Sequence, residues 1–360
     1  MSYLPRFLGV YPSKTDAVSY YRSVGVFPYV REMDYNILRD PISWDILIDK
    51  DIVFINRPFA GNFPQAVKVI KSNNKQLWLD YDDNFLNIPE TNPAYAFYDK
   101  SEDREKFIEM LDSANMVTVS TESLAKYLYS VTTKCKPLVI PNAFNDYLFD
   151  FSYDISNNKV INWRGSNTHN SDFESVINEY LDTVEANPDW KFTFIGKLGY
   201  HLKNMKVTIK DPVTKKESWQ ENPFKKYVKG RSFSNIEAID EMDIIDYFHN
   251  IKLLSPRIQV VPLENSMFNY NKSNIAWIEG TYAGAVTIAP NLPEFNKPGV
   301  LTYNSPQEFK KILQECIDGK YDLRSLYDQS FLYIKENLLL SKVNEIRKQV
   351  VNMLYAKVKK

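Results

Sequence analysis

At 360 residues the chain has room for two domains of ordinary size, and 44% hydrophobic with 25% charged residues excludes a disordered or fibrous chain. With 44 Lys and Arg against 45 Asp and Glu, the formal charge of −1 gives no global basicity to announce a nucleic-acid partner. Cys135 and Cys316 are too few for a disulfide framework and fit a reducing compartment, no apolar run reaches membrane-spanning length, and "MSYLPRFLGVYPS" lacks the apolar core of a signal peptide, so a cytoplasmic enzyme or binding protein is expected.

In chain order, "RFLGVYP" reads as a strand and "VSYYRSVGVFPYVREM" as a loop with a broken helix. "DIVFINRP" is a buried strand, "PQAVKVIKSNN" a helix, and "KQLWLDYDD" a strand with an acidic end. "SEDREKFIEMLDSAN" is a helix whose acidic first turn suits the positive end of its dipole, and "MVTVST", "ESLAKYLYSV" and "PLVIPNAF" complete the alternation. After the polar stretch "DYLFDFSYDISNN" the pattern restarts. "KVINW", "WKFTFIG", "RIQVVPL" and "AVTIAP" are strands, and "KSNIAWIEGTYAG" is a helix closed by Gly284. "SDFESVINEYLDTVEAN" opens with Ser171 and Glu174 as a capping box, and "SPQEFKKILQECIDG" with Ser305, Pro306 and Glu308. The tail from about Leu323 is helical. Strand–helix alternation predicts parallel sheets covered on both faces, hence an α/β fold of two doubly wound Rossmann-like domains facing a cleft. The domains are 1–147 and 148–325, with helices over 326–360 that can pack back on the N-terminal domain. Such a layout serves glycosyltransferases, epimerases, binding proteins and kinases alike.

Two stretches carry phosphate chemistry. In "NWRGSNTHNSDFESV", Arg164, Gly165 and Ser166 follow a strand; a glycine that admits a ligand to the backbone, a helix N-terminus and a fixed cation suit a pyrophosphate. A capped turn with an exposed arginine accounts for the same residues. In "FNYNKSNIAWIEGTYAGAVTIAP", Lys272, Ser273 and Asn274 open a helix, and Glu279 stands seven residues after Lys272, two turns on and on the same face. A carboxylate there can accept both hydroxyls of a ribose while the lysine end holds phosphate; an ordinary surface pairing on a core helix is the alternative.

The second stretch resembles the donor-site helix of retaining GT-B glycosyltransferases of the "glycosyl transferases group 1" class, phage and polysaccharide-cluster type, with a pattern close to F-N-x-x-K-S-N. "INWRGSNTHNSDF", "LDYDDNFLNIPETNPAY", "VTVSTESLAKYL" and the hinge-like "VIPNAFND" are similar to the class in the same order, over Gly9 to about Pro290. The resemblance implies a nucleotide-diphosphate sugar donor, UDP-sugar first among them, with Lys272 on the diphosphate and Glu279 on the ribose. It implies an acceptor-side domain 1–147, a donor domain 148–325, retention of configuration, and no strict need for a metal. Asn271 stands where the class has the first Glu of a pair.

Asp80-Tyr81-Asp82 matches a metal-binding Asp-x-Asp, but a second α/β set argues against the single-sheet fold that uses it. Asp82 and Asp83 are candidates to orient an acceptor hydroxyl or to cap the next loop, and His169 is the one histidine inside a motif. Tyr21 and Arg22 follow the first strand and are candidates for phosphate or acceptor contact. From 202 to 231 the chain holds nine basic and three acidic residues, a basic insertion with interleaved aromatics. It can grip a DNA backbone through Lys215, Lys216, Lys225, Lys226, Lys229 and Arg231, or be a solvated β-hairpin. The expected activity is transfer of a sugar to a hydroxyl, with a hydroxymethylated base in phage DNA as one acceptor and a cell-envelope polysaccharide as another. A non-catalytic nucleotide or sugar binder is the reading from a different class.

Overall fold

The computed structural model describes residues 5–11, 16–30, 34–39, 43–203, 206–210 and 217–358. Contacts divide the chain into two compact units. One comprises Met1–Ser152, Ser266–Ile278 and Leu332–Lys360; the other comprises Tyr153–Asn265 and Glu279–Phe331. Against the expected break at 147, the first unit also takes in the turn before the 275–282 helix and the last helix of the chain.

The first unit is a six-stranded parallel sheet of β1 (Arg6–Tyr11), β2 (Asp34–Arg39), β3 (Ile52–Asn56), β4 (Gln76–Tyr81), β5 (Met116–Val119) and β6 (Leu138–Val139) in the order β2-β1-β3-β4-β5-β6. β3 and β4 are buried along their whole length because helices cover both faces. One face carries Leu8, Val53, Leu77 and Leu79 against the helices Phe63–Ser72, Ser101–Ser113 and Glu122–Val131. The other carries Phe7, Phe54 and Trp78 against Leu340, Val343, Val350 and Leu354 of the C-terminal helix Leu340–Val358. Those positions recur at helical spacing, so one stripe of the helix is apolar, with Arg347 in its middle.

The second unit is a six-stranded parallel sheet of β7 (Val160–Arg164), β8 (Lys191–Ile195), β11 (Ile236–Ile239), β12 (Ile258–Val260), β13 (Val286–Pro290) and β14 (Leu301–Tyr303), ordered β11-β8-β7-β12-β13-β14. In chain order that is 3-2-1-4-5-6, the dinucleotide-fold order. Between β8 and β11 stands a separate antiparallel ladder of β9 (Lys206–Lys210) and β10 (Glu217–Glu221), whose register sets Lys210 opposite Glu217 and Lys206 opposite Glu221. The basic insertion is thus the hairpin alternative. Ser305 caps the helix Pro306–Ile317 as expected, while Glu308 reaches back to the Asn304 amide. The Ser171–Glu174 box does not form. β7 runs into a 3-10 turn, Asn167–His169, and a five-residue helix, Asn170–Glu174, and the long helix begins only at Ile177. Among the described residues no helix is long and apolar enough to cross a membrane.

Candidate functional site

Ligands of open parallel sheets bind beyond the carboxyl ends of strands where the strand order reverses. In the second unit that point lies between β7 and β12, and in the first between β1 and β3. Arg164, Gly165, Ser166 and His169 follow β7 at the first of these places, and Tyr21 and Arg22 follow β1 at the second.

At the end of β7, Arg164 Nη2 meets Glu279 Oε2 at 2.6 Å. Glu279 is 2% exposed and also accepts from Tyr247 Oη at 3.0 Å, and burial first, then the Glu279 charge, pushes the Tyr247 phenol well above its ordinary range. Tyr247 escapes sequence reasoning because its helix, Ile244–Leu254, carries no motif. Gly165 is explained by packing rather than by ligand approach: a Cβ there would stand 2.7 Å from the Trp163 ring and 3.2 Å from His169 Cβ. Ser166 caps the 3-10 turn through the Thr168 amide, and a long helix N-terminus is absent from this place. His169 Nδ1 is 2.8 Å from Asp172 Oδ2, while Asp172 Oδ1 accepts the Glu264 amide just past β12 at 3.0 Å. The buried Asp172 therefore fixes the imidazole across the switch point.

In the first unit the "LDYDD" carboxylates diverge. Asp80 is saturated, with Arg22 Nη2 and Nε at 2.6 and 2.9 Å, Thr118 Oγ1 at 2.6 Å and Asn56 Nδ2 at 3.2 Å. Arg22 lies in a five-residue π-helical turn, is 1% exposed, and also donates to the Ile140 carbonyl and to Asn142. This corrects the expectation of a ligand contact for Arg22: its guanidinium is an internal strut. Tyr21 is likewise buried, edge-on to Tyr20. Asp82 and Asp83 flank Arg57, at 3.1 Å to Nε and 2.8 Å to Nη2, and Asp83 also lies 3.6 Å from Lys272 Nζ. The loop cap expected of them belongs to Asn84, which accepts from the Leu86 amide. Burial first, with Asp83 adding repulsion, pushes the Asp82 carboxyl up to about 6, and Arg57 opposes the rise. Arg57 has no counterpart among the sequence candidates; its only signal is an arginine between a five-residue apolar strand and Pro58.

Lys272 is not on a helical face with Glu279, because the helix starts at Ile275; it sits in the preceding turn, over the Phe268 ring at 4.7 Å. That turn is tied to the first unit by Thr121 to the Asn271 carbonyl, Ser123 to the Tyr270 carbonyl and Asn142 to Ser273. The Asn274 carbonyl accepts the first helical amides, Trp277 and Ile278.

Two cations of the basic insertion are held by carboxylates of the same unit. Arg231 bridges Asp182 and Glu185, and Lys226 pairs with Glu174. Lys225 and Lys229 belong to a short helix and its end, and Lys215 and Lys216 lie outside the described residues. Among the described residues no group of three or more His, Cys, Asp or Glu could hold a metal ion.

No protein-family model matches the chain, and no curated protein sequence matches it. Solved structures do. A glycosyltransferase from Rickettsia africae aligns over 98% of this chain and 99% of its own, at 14% identity and a TM-score of 0.66. Anabaena HepE in complex with UDP-glucose aligns over 98% and 100%, at 11% identity and 0.61. The UDP-GlcNAc 2-epimerase of Neisseria meningitidis, bound to UDP-GlcNAc, aligns over 97% and 100%, at 12% identity and 0.56. At such identities the shared property is the fold: the chain has the GT-B architecture of two Rossmann-like domains.

Proposed function

We propose that the protein is a glycosyltransferase that moves a sugar from a UDP-sugar to an acceptor hydroxyl. The carrying observation is the Arg164–Glu279 pair at the switch point of a 3-2-1-4-5-6 sheet: a buried carboxylate suited to ribose hydroxyls beside a cation suited to diphosphate. The likeness in fold to a protein solved with UDP-glucose supports the same donor. Arg164 would stabilise charge growing on the departing diphosphate, the role that the resemblance implies for Lys272, and His169 is held by Asp172 at the same strand end as Arg164. The acceptor we favour is a saccharide hydroxyl, since Lys226 and Arg231, two of the six cations offered to a DNA backbone, are already held by carboxylates of the protein. Retention of configuration is what the resemblance implies.

The test is a screen of UDP-sugars with and without saccharide acceptors, read as release of UDP. Lys272→Ala should weaken UDP binding roughly tenfold, the worth of one charge-assisted phosphate contact. Failure of UDP to bind would sink the reading, and isomerisation of the sugar without any acceptor would identify an epimerase instead.

A further inference from the structure

We propose that Gly280 is the positioning residue for Glu279. It sets how closely the 275–282 helix approaches the sheet, through a contact with Gln259 that only a glycine permits, and so holds the carboxylate against Arg164. What Glu279 does for a ligand rests on the UDP-sugar reading above. The positioning rests on the second unit alone, to which Arg164, Gln259, Glu279 and Gly280 all belong.

The two faces of the second sheet differ. Trp163 and Phe194 lie on one, packed with Phe173 and Tyr180. The other carries a polar row: Thr193 of β8, Asn162 of β7, Gln259 of β12 and Thr287 of β13 stand in register on four adjacent strands, all of them buried. Asn162 Nδ2 donates to Gln259 Oε1 at 2.7 Å, while Asn162 Oδ1, Thr193 Oγ1 and Thr287 Oγ1 have no hydrogen-bond partner among the described residues. Orphaned polar atoms in a core cost free energy, so apolar residues would make the more stable layer. What the polar row supplies is direction. A bond between neighbouring strands lays the Gln259 side chain along the sheet rather than up from it.

Gly280 sits over that side chain. A Cβ on Gly280 would stand 2.9 Å from Gln259 Cβ, 3.0 Å from its Cγ and 3.3 Å from Thr287 Oγ1. Backbone conformation does not ask for glycine here, because the residue is inside a helix and its φ is not positive. Glycine is also the poorest helix former after proline. Close approach to the sheet is the remaining cause.

Arg164 follows Asn162 by two residues on β7, so it shares the face on which this helix lies. Glu279, next to Gly280 in the chain, reaches Arg164 at 2.6 Å with the helix at this depth. The depth is held at the helix end as well. The Gly280 carbonyl accepts the Ala285 amide at 2.8 Å just before β13, and Lys252 Nζ donates to the Tyr282 carbonyl at 3.0 Å. A methyl group at position 280 therefore drives this turn away from the sheet and takes Glu279 with it.

The experiment is calorimetry with UDP and with inorganic pyrophosphate on the wild type, on Gly280→Ala, and on Gly280→Ala combined with Gln259→Gly. In Gly280→Ala, withdrawal of Glu279 should weaken UDP about tenfold, the lower end of what loss of that carboxylate would cost. Release of Arg164 should tighten pyrophosphate by up to about fivefold. Removing the Gln259 side chain should return both affinities toward the wild type. Parallel weakening of both ligands, an unchanged affinity for UDP, or a double variant no better than Gly280→Ala would each overturn the proposal. A glycine needed only for folding would weaken both ligands together and would not be rescued at Gln259. Where Gly280→Ala does not fold, the double variant decides alone: recovery of fold and UDP binding supports the contact, and continued failure overturns it. Failure of UDP to bind the wild type sinks the donor reading instead, and the pyrophosphate comparison still decides whether Gly280 holds Glu279 on Arg164.

Discussion

Arg164 and Glu279 are bound to each other at 2.6 Å, with Tyr247 as the second donor to the same carboxylate. The group proposed to accept the ribose therefore neutralises the one proposed to bind phosphate. Two effects follow from Glu279→Ala, and they have opposite signs. Loss of the charged acceptor should weaken UDP by roughly tenfold to a hundredfold, about 1.5–3 kcal/mol. Release of Arg164 should tighten inorganic pyrophosphate, which has no ribose. Calorimetry with the two ligands checks both, and parallel weakening would show that Glu279 acts only by holding the structure.

Chelation is the second test. Each carboxylate of "LDYDD" already faces a cation: Asp80 faces Arg22, Asp82 faces Arg57, and Asp83 faces Arg57 and Lys272. A divalent ion there would have to displace a guanidinium from its partners, and Lys and Arg can neutralise a diphosphate unaided. Activity should survive EDTA. Complete loss, restored by Mn²⁺ and absent in Asp83→Asn, would replace this picture with a metal-dependent one.

The alternation of strands and helices was legible where strands are buried on both faces. β3, β4 and β13 are buried at every position, and β7 at its three central ones, because helices cover both sides of each sheet, so apolar residues dominate them. β2, β11 and β14 escaped, and all three are sheet edges. β11 is only half-buried, so "IEAI" needs no apolar run. At the site, charges at strand ends stood out, which marked Arg164, His169, Asp82 and Asp83. Their partners did not: Arg57, Tyr247 and Asp172 acquire their roles from pairing across strands and helices, which no local window contains. The error on Lys272 has the same origin. Helical spacing placed it on one face with Glu279, but Thr121, Ser123 and Asn142 bond the preceding turn, and the helix starts only at Ile275.

A third prediction concerns Arg347. It sits in the apolar stripe of the C-terminal helix, 2% exposed, with one hydrogen bond, to Asn344 Oδ1 at 3.0 Å. Burial first, and Arg22 second, lower it to about 9, with Asp80 opposing. The unfolded chain holds its proton to far higher pH than the folded one, so wild-type stability should rise with pH above about 9. Below that pH the folded state carries the full cost of the buried charge. Arg347→Met should stabilise the protein at pH 7 by about 1–4 kcal/mol, read as denaturant midpoint, and remove the rise at alkaline pH. A destabilised Met variant would mean that the guanidinium has a partner worth more than its desolvation.

The last prediction decides the acceptor. A protein gripping DNA through all six of Lys215, Lys216, Lys225, Lys226, Lys229 and Arg231 would show a slope of log affinity on log salt of about −5. The structure spends part of that charge internally, since Arg231 is held by Asp182 and Glu185 and Lys226 by Glu174. With two of the six so held, four cations remain, and we expect a slope no steeper than about −3.6. Arg231→Ala should lower thermal stability rather than DNA affinity, because it releases two carboxylates on the helix Ile177–Ala186. A measured slope near −5, together with sugar transfer to hydroxymethylated DNA, would restore DNA as the acceptor. Salt dependence alone would not, because an anionic polysaccharide draws on the same charges, so the transfer assay has to accompany it.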